Sequence, residues 1–273
     1  MVRVHANLFL AIVIDMGRGA IRRGRGLLGA VLLLFGAGEA LSDELERLAF
    51  SAETYQVGAA GKEKKGRIFV LGDLVRTEID QGEDQVIKIF DLKKQVSYLL
   101  DPQRKQYQET PYRAVSLQAA VRPSNPCEGV TDAECKRVGD TSIAGRNAVE
   151  WDMLLKRNGK NYFVKQWIDI ERGFVLRYLT EDGHYSSMEP LGVEQLDGRK
   201  VEKWMLVSFD GEQRERRSVS WFDPQLNMVI KEEHPGGYLR EMRTIRVGPQ
   251  EPGQFEVPAD YRRVDRLGLA KEQ

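Results

Sequence analysis

The sequence predicts a mainly β protein with about ten or eleven strands, enough to curl into a barrel or part-barrel rather than a flat sheet. Three observations lead to this prediction. Short runs of β-forming residues alternate between apolar and polar side chains, turn-forming pairs separate these runs, and helical periodicity is scarce. We expect the strands to lie between Ala49 and Val247 and to pair mainly as antiparallel hairpins.

The first 40 residues have the pattern of a cleavable signal peptide. An Arg cluster precedes an apolar run from Leu27 to Ala37, and the small-x-small triplet Gly38-Glu39-Ala40 precedes a cleavage point after Ala40. The apolar run is shorter than the roughly 20 residues that a membrane-spanning helix needs. An uncleaved membrane hairpin is the competing interpretation, and the chain starts at either Met1 or Met16. We therefore predict an exported, periplasmic protein whose residues 41–273 form a single β domain.

The two cysteines of the chain, Cys127 and Cys135, lie in a polar stretch rich in turn-forming residues. In an exported protein such a close pair predicts a disulfide that ties down a long connection. A thioredoxin-like redox site would need C-x-x-C, and a zinc site would need two further ligands nearby. We therefore expect no metal site.

The turn signals predict where the hairpins lie. Asn-Gly and Asp-Gly pairs favour the positive φ angles of two-residue hairpin turns. Three bulky-bulky-Asp runs, each followed by a turn and another strand, suggest a repeated unit in which the Asp side chain caps the local backbone. The pairs are Asn158-Gly159, Asp182-Gly183, Asp197-Gly198 and Asp210-Gly211, and the capping residues are Asp91, Asp169 and Asp223. Short helices are expected only at Ser42 to Leu48 and Tyr112 to Val121.

Composition and motifs exclude several classes of function. The 41 basic and 41 acidic residues give a formal net charge of zero, which argues against a nucleic-acid binder. The sequence lacks a G-x-S-x-G nucleophile motif, and His184 and His234 sit at predicted hairpin tips. We therefore expect no catalytic residues, no cofactor and no enzymatic activity.

Aromatic and methionine side chains on the predicted strands of the second half are candidates for lining a ligand cavity. Such a cavity would be mostly apolar with a few polar groups at its mouth. An ordinary filled core produces the same alternation, so both interpretations stay open here. The candidates are Trp151, Met153, Trp167, Phe174, Trp204, Met205, Phe209 and Trp221.

Four short segments together resemble the LolA/LolB-like superfamily, the outer-membrane lipoprotein-sorting-like proteins, in one of its uncharacterised periplasmic branches. They are Phe50 to Tyr55, Gly72 to Glu78, Gln166 to Asp169 and Phe255 to Val264. The resemblance implies an unclosed half barrel, a large curved antiparallel sheet with a few short helices on its concave side. It also implies a hydrophobic cavity for acyl chains or lipid-linked ligands.

The resemblance makes an arginine recurrent at position 76. Arg76 would bind a ligand head group or, alternatively, pair with Glu78 on the solvent face. The sequence departs from the family in having no lipobox cysteine and in carrying the Cys127–Cys135 loop. These departures argue against direct lipoprotein trafficking.

The sequence as a whole predicts a non-catalytic periplasmic protein that binds or carries a hydrophobic, acylated or lipid-like ligand in the cell envelope. The alternative is an envelope interaction or regulatory module with a filled core and no ligand. The expected partners are a lipid or acylated molecule and, second, an envelope protein. The protein is expected to be a monomer.

Overall fold

The structure is a computed structural model that describes residues 48–58, 61–81, 84–112, 125–127, 132–157, 159–210, 212 and 214–267. The predicted signal peptide lies outside this part of the chain. The two predicted helices also lie outside it, apart from their end residues Leu48 and Tyr112, neither of which is helical. The structure therefore reports on the predicted β region.

Sixteen strands and one short 3₁₀ helix, Pro252–Phe255, make up the regular structure of the described residues. The strands are β1 Ala49–Val57, β2 Glu63–Leu71, β3 Leu74–Gln81, β4 Asp84–Asp91, β5 Val96–Asp101, β6 Gln106–Pro111, β7 Ala133–Ile143, β8 Arg146–Arg157, β9 Lys160–Asp169, β10 Val175–Thr180, β11 Tyr185–Leu196, β12 Arg199–Phe209, β13 Glu215–Asp223, β14 Met228–His234, β15 Tyr238–Val247 and β16 Arg262–Arg263.

The chain divides into two compact units. The first unit contains the described residues up to 112 and those from Gly237 onward, and its strand order is β16-β6-β5-β4-β3-β2-β1-β15. The second unit contains the described residues from 125 to Gly236, and its strand order is β14-β13-β12-β11-β10-β9-β8-β7. Every neighbour in the second unit is also a neighbour in sequence, so this unit is a continuous meander of hairpins.

The prediction of a mainly β, antiparallel and unclosed sheet is confirmed. Apart from the two-residue parallel contact of β16 with β6, the strand pairs of the described part are antiparallel. In neither unit do the two end strands of the described order pair with each other, so neither closes into a barrel. The predicted count of ten or eleven strands was too low.

One of the hairpins missed in the strand count has a local cause in its turn. The predicted turn at Asp197 and Gly198 has φ angles of 49° and 75°, which is the double positive φ of a type I′ hairpin turn. Ala144 and Gly145, between β7 and β8, have the same signs of φ, 51° and 77°. Alanine is not a residue that signals positive φ, so this hairpin was not marked in the sequence.

The predicted capping role of the repeated aspartates is confirmed. Asp169 Oδ1 accepts hydrogen bonds from the backbone N–H groups of residues 171 and 172, each at 2.8 Å, and Asp223 Oδ1 does the same two and three residues on, at 2.8 and 3.2 Å. Both carboxylates are almost fully buried and are paired with an arginine of the adjoining strand, Arg146 and Arg199 respectively. The second unit therefore contains the same strand–turn–strand arrangement twice, each with a capping aspartate paired with an arginine.

Among the described residues, buried apolar side chains form clusters in both units. The first cluster, on β8 to β10, contains Trp151, Met153, Leu155, Val164, Ile168, Val175 and Tyr178, with Cys127 and Cys135 packed against it. The second contains Ile143, Ala148, Leu176, Met188, Trp204 and Phe222. The third, in the first unit, contains Ile87, Ile89, Leu100 and Phe255.

Candidate functional site

The predicted cavity residues fall into separate places in the second unit. Trp151 and Met153 belong to the first buried cluster and are only 6% and 3% exposed. Trp204 belongs to the second cluster, and Trp167 and Phe174 pack against it. Phe174 meets the Trp204 ring edge-to-face, with the ring centroids 6.3 Å apart.

The other three candidates lie outside both clusters. The Trp221 ring is contacted by the ammonium groups of Lys203 and Lys231, at 5.0 and 4.3 Å, and its Nε1–H donates to Glu194 Oε2 at 2.7 Å. Met205 is partly exposed. Phe209 is also partly exposed, and its ring centroid lies 6.1 Å from that of Tyr185. The eight candidates therefore do not share one cavity lining, and their ligand role stays a prediction.

Arg76, on β3, pairs with Glu78, with 2.8 Å between Arg76 Nε and Glu78 Oε1. Its Nη1 also donates to the backbone carbonyl of Gln254 at 2.8 Å. Glu78 receives a second cation, Arg67, at 2.6 Å. The guanidinium thus has the partner that the alternative interpretation expected. The pair is not on a solvent face, however, because the Arg76 and Glu78 side chains are only 15% and 8% exposed. A role of Arg76 towards a ligand head group stays a prediction.

The Cys127–Cys135 disulfide is formed, with the Cα atoms 5.7 Å apart. It packs against the first buried cluster, and Asn125 Oδ1 accepts a hydrogen bond from the Cys127 N–H at 2.9 Å. The predicted disulfide is therefore confirmed. It ties the loop residue Cys127 to the start of β7.

A groove of about 590 Å³ crosses strands β7 to β10, and Cys135 is among its lining residues. Its apolar floor consists of Leu154, Phe163 and Leu179. Leu154 and Phe163 are directly opposite in the β8–β9 ladder, so their side chains lie on one face of the sheet. The predicted cavity residue Met153 is also among the lining residues, although its side chain alternates to the other face, where it belongs to the first buried cluster.

The floor is unusually exposed for such large apolar side chains. Phe163 is 54% exposed and Leu179 is 37% exposed, while Leu154 is partly buried. Single exposed apolar residues on a surface are ordinary, but a contiguous group in a concave place is typical of a binding site. The groove is therefore the candidate functional site.

Ion pairs bound the groove. Lys165 contacts Asp152 at 2.8 Å and Glu150 at 3.1 Å, and these hydrogen bonds, Asp152 first, raise the pKa of the Lys165 ammonium above its usual value. Lys156 pairs with Glu134, which raises the pKa of that lysine in the same way. The rim is thus made of charges that already neutralise one another.

The residues of the groove floor were not among the predicted cavity residues. A signal for it was present, because β8 reads Trp151-Asp152-Met153-Leu154-Leu155. In strict alternation the position of Leu154 belongs to the polar face. An apolar residue in the polar phase, next to Phe163 in the same phase of the neighbouring strand, would have identified it.

A buried polar pair on the opposite face was also not anticipated. Trp151 and Gln166 are directly opposite in the β8–β9 ladder, and Gln166 is 1% exposed. Neither Trp151 Nε1 nor Gln166 Oε1 has a hydrogen-bond partner. Buried polar atoms are normally paired, so this pair costs folding free energy.

The titratable groups at hairpin tips are arranged for turn formation. Asp182 accepts from the Thr180 hydroxyl, and this bond, followed by the His184 contact, lowers the pKa of the Asp182 carboxyl. His184 Nδ1 lies 3.1 Å from Asp182 Oδ1, and His234 Nε2 lies 3.7 Å from Glu232 Oε2. In the part of the chain that the structure describes, no group of three or more His, Cys, Asp or Glu side chains could hold a metal ion.

The described helical residues include no segment that is long and apolar enough to cross a membrane. No family model matches the sequence, and no curated protein matches it. Several solved structures are nevertheless similar to this chain.

Three of these solved structures are representative. A LolA superfamily protein from Nitrosomonas europaea has a TM-score of 0.33 and 10% identity, covering 80% of this chain and 96% of its own. A putative outer membrane lipoprotein-sorting protein domain from Vibrio parahaemolyticus has a TM-score of 0.32 and 11% identity, covering 80% and 95%. The hypothetical lipoprotein YmcC from Escherichia coli has a TM-score of 0.26 and 11% identity, covering 78% and 90%. These scores are low, so the function is inferred from the chain's own residues.

Proposed function

We propose that this chain, after removal of residues 1–40, is a non-enzymatic envelope protein that binds or carries a hydrophobic, acylated ligand in the groove of its second unit. The observation that carries the proposal is the exposed floor of Leu154, Phe163 and Leu179 in a groove of about 590 Å³. Ligand sites have volumes of roughly 300–1,000 Å³, lie in concave places and are mostly apolar.

The free-energy gain on binding comes from the floor. Burying a side chain such as Phe or Leu contributes roughly 1.5–3 kcal/mol relative to leaving it in water. An alkyl chain laid over Phe163 and Leu179 would remove much of their remaining exposed surface from water. The rim lysine Lys165 is already engaged with two carboxylates, which favours binding of an apolar body over acid–base chemistry.

An exported location is supported by two independent features. The first is the signal-peptide pattern of residues 1–40. The second is the disulfide between Cys127 and Cys135, since such bonds persist in oxidising compartments such as the periplasm. We accordingly propose the periplasm as the location and residues 41–273 as the mature protein.

Native mass spectrometry tests the proposal on protein purified from an oxidising compartment without detergent. The expected result is an adduct with the mass of a lipid or acylated molecule, and Phe163→Ser abolishes it. Tyr162→Ser is the matched control, because Tyr162 is 41% exposed on the same strand and alternates to the other face. A bare protein mass, together with no uptake of added fatty acid, would sink the proposal.

The alternative function, an interaction module without a ligand, has its own supporting observation. Trp151 and Trp204 lie in filled clusters, and β7 pairs on one side only within the described strands. Such an edge can accept an extended segment of an envelope protein as an added strand, although the register shift at Val138 works against it. Capture of one stoichiometric envelope protein that Val138→Pro abolishes and Phe163→Ser leaves intact would favour this function.

A further inference from the structure

The apolar floor of the groove continues beyond β10 onto two further strands. Leu179 is directly opposite Tyr185 on β11, and Tyr185 is directly opposite Phe209 on β12. Directly opposite residues share a face, so both aromatic side chains lie on the face of the groove floor. We call the five residues Leu154, Phe163, Leu179, Tyr185 and Phe209 the apolar row.

The register makes the row continuous across five strands. Phe163 and Lys165 are two residues apart on β9 and share a face, and Lys165 is directly opposite Leu179. Phe163 is therefore a diagonal neighbour of Leu179, within reach of large side chains. The rings of Tyr185 and Phe209 meet with centroids 6.1 Å apart. Lys165, which is held by Asp152 and Glu150, flanks the row at the step from Phe163 to Leu179, and the other steps join apolar or aromatic side chains directly.

Both ends of the row are closed by ion pairs. At the β7 end, Leu154 is directly opposite Glu134, which pairs with Lys156. At the other end, Phe209 is directly opposite Glu215, which pairs with Arg217. An alkyl chain that ran past either end would have to cover a charged pair. The row therefore has a defined length.

We infer that the site takes one extended alkyl chain lying across the strands, and that Tyr185 and Phe209 determine the chain length that it accepts. This inference rests on the proposed function. The five strands are separated by four spacings of about 4.8 Å, which gives a row of about 19 Å, the length of an extended chain of roughly 16 carbons.

The length dependence gives the expected magnitudes. A fully buried methylene changes affinity by about fourfold, and because the groove covers only one side of the chain we expect roughly twofold per carbon. Affinity should rise at this rate up to about 16 carbons and then stay level. Removing Phe209 shortens the row by one spacing, so affinity should stop rising with chain length about four carbons earlier.

Calorimetric titration with saturated fatty acids of about 8 to 18 carbons, each kept below its micelle concentration, tests the inference. The intact protein should show the rise and the level part, and Phe209→Ser should lose affinity for the longest acids while binding short ones as before. Tyr185→Ser is a second variant, should the first not fold; it interrupts the row two spacings before its end, so affinity should stop rising about eight carbons earlier. Tyr162→Ser, on the other face of β9, should leave the whole series unchanged.

The outcomes separate the two proposals. If no acid of any length binds the intact protein, the proposed function itself is wrong. If acids bind and Phe163→Ser weakens them all, but the length dependence in Phe209→Ser and Tyr185→Ser matches the intact protein, the length inference alone is overturned. An equal effect of Tyr162→Ser would also overturn it.

Discussion

Removing the Cys127–Cys135 disulfide should lower the free energy of unfolding of the second unit by a calculable amount. The two cysteines are separated by 8 positions in sequence, so the bond closes a short loop. In the chain-entropy model a loop of about nine residues corresponds to about 2.6 kcal/mol at 25 °C. Both sulfurs also pack against the buried cluster around Trp151, so this value is a lower bound for a variant that removes them.

The assay is thermal unfolding of the Cys127→Ser, Cys135→Ser double variant beside the unaltered protein, each with and without reductant. A loss of about 2.6 kcal/mol lowers the Tm by roughly 10 °C if the second unit unfolds by itself, and by roughly 5 °C if both units unfold together. Reductant should lower the Tm of the unaltered protein to nearly that of the variant and leave the variant unchanged. Equal Tm values for the oxidised protein and the variant would refute the reasoning.

Three further predictions concern stability and pH. Asp169→Ala should lower the free energy of unfolding by about 3 kcal/mol in urea, because it leaves Arg146 and two backbone N–H groups without their acceptor; a loss below 1 kcal/mol would contradict the assigned role. Gln166→Met should leave stability unchanged or raise it by about 1 kcal/mol, since the amide oxygen is buried without a partner; strong destabilisation in the same assay would show that it is engaged. The pKa of Lys165 is raised, so its ammonium stays charged and its ion pairs persist until the pH rises through the folded-state pKa. Binding of an uncharged alkyl ligand in the groove should therefore be constant from about pH 6 to pH 9. A fall in affinity within that window would contradict the direction of this pKa shift.

Features that depend on neighbouring residues could be predicted from the sequence. Asp197-Gly198 carries the residue preference for positive φ at both turn positions, and the structure has a hairpin there. The aspartates that end strands cap their own turns, as the repeated runs predicted. The disulfide followed from the spacing of two cysteines in a chain whose first 40 residues have the pattern of a signal peptide.

Features that depend on distant residues could not be predicted. The Gln254 carbonyl accepts from Arg76, 178 positions away, and no pattern in either segment indicates this contact. Alternation could not separate a filled cluster from an open groove, because Met153 and Leu154 are both apolar and face opposite sides. The cavity candidates were chosen as aromatic and methionine side chains on predicted strands, and half of them are buried. Identifying the exposed floor needed the register of β8 with β9.

The strand order has a consequence for when each unit can form during synthesis of the chain. In the second unit each strand pairs with its immediate successor, so its contacts are local in sequence and can form as the chain emerges. In the first unit, β1 pairs with β15, which joins Phe50 to Val247 across nearly the whole protein. Until that late strand arrives, β1 presents an unpaired edge that other chains can join. A polypeptide cut short before Tyr238 should therefore keep a foldable meander and yet aggregate through its amino-terminal half.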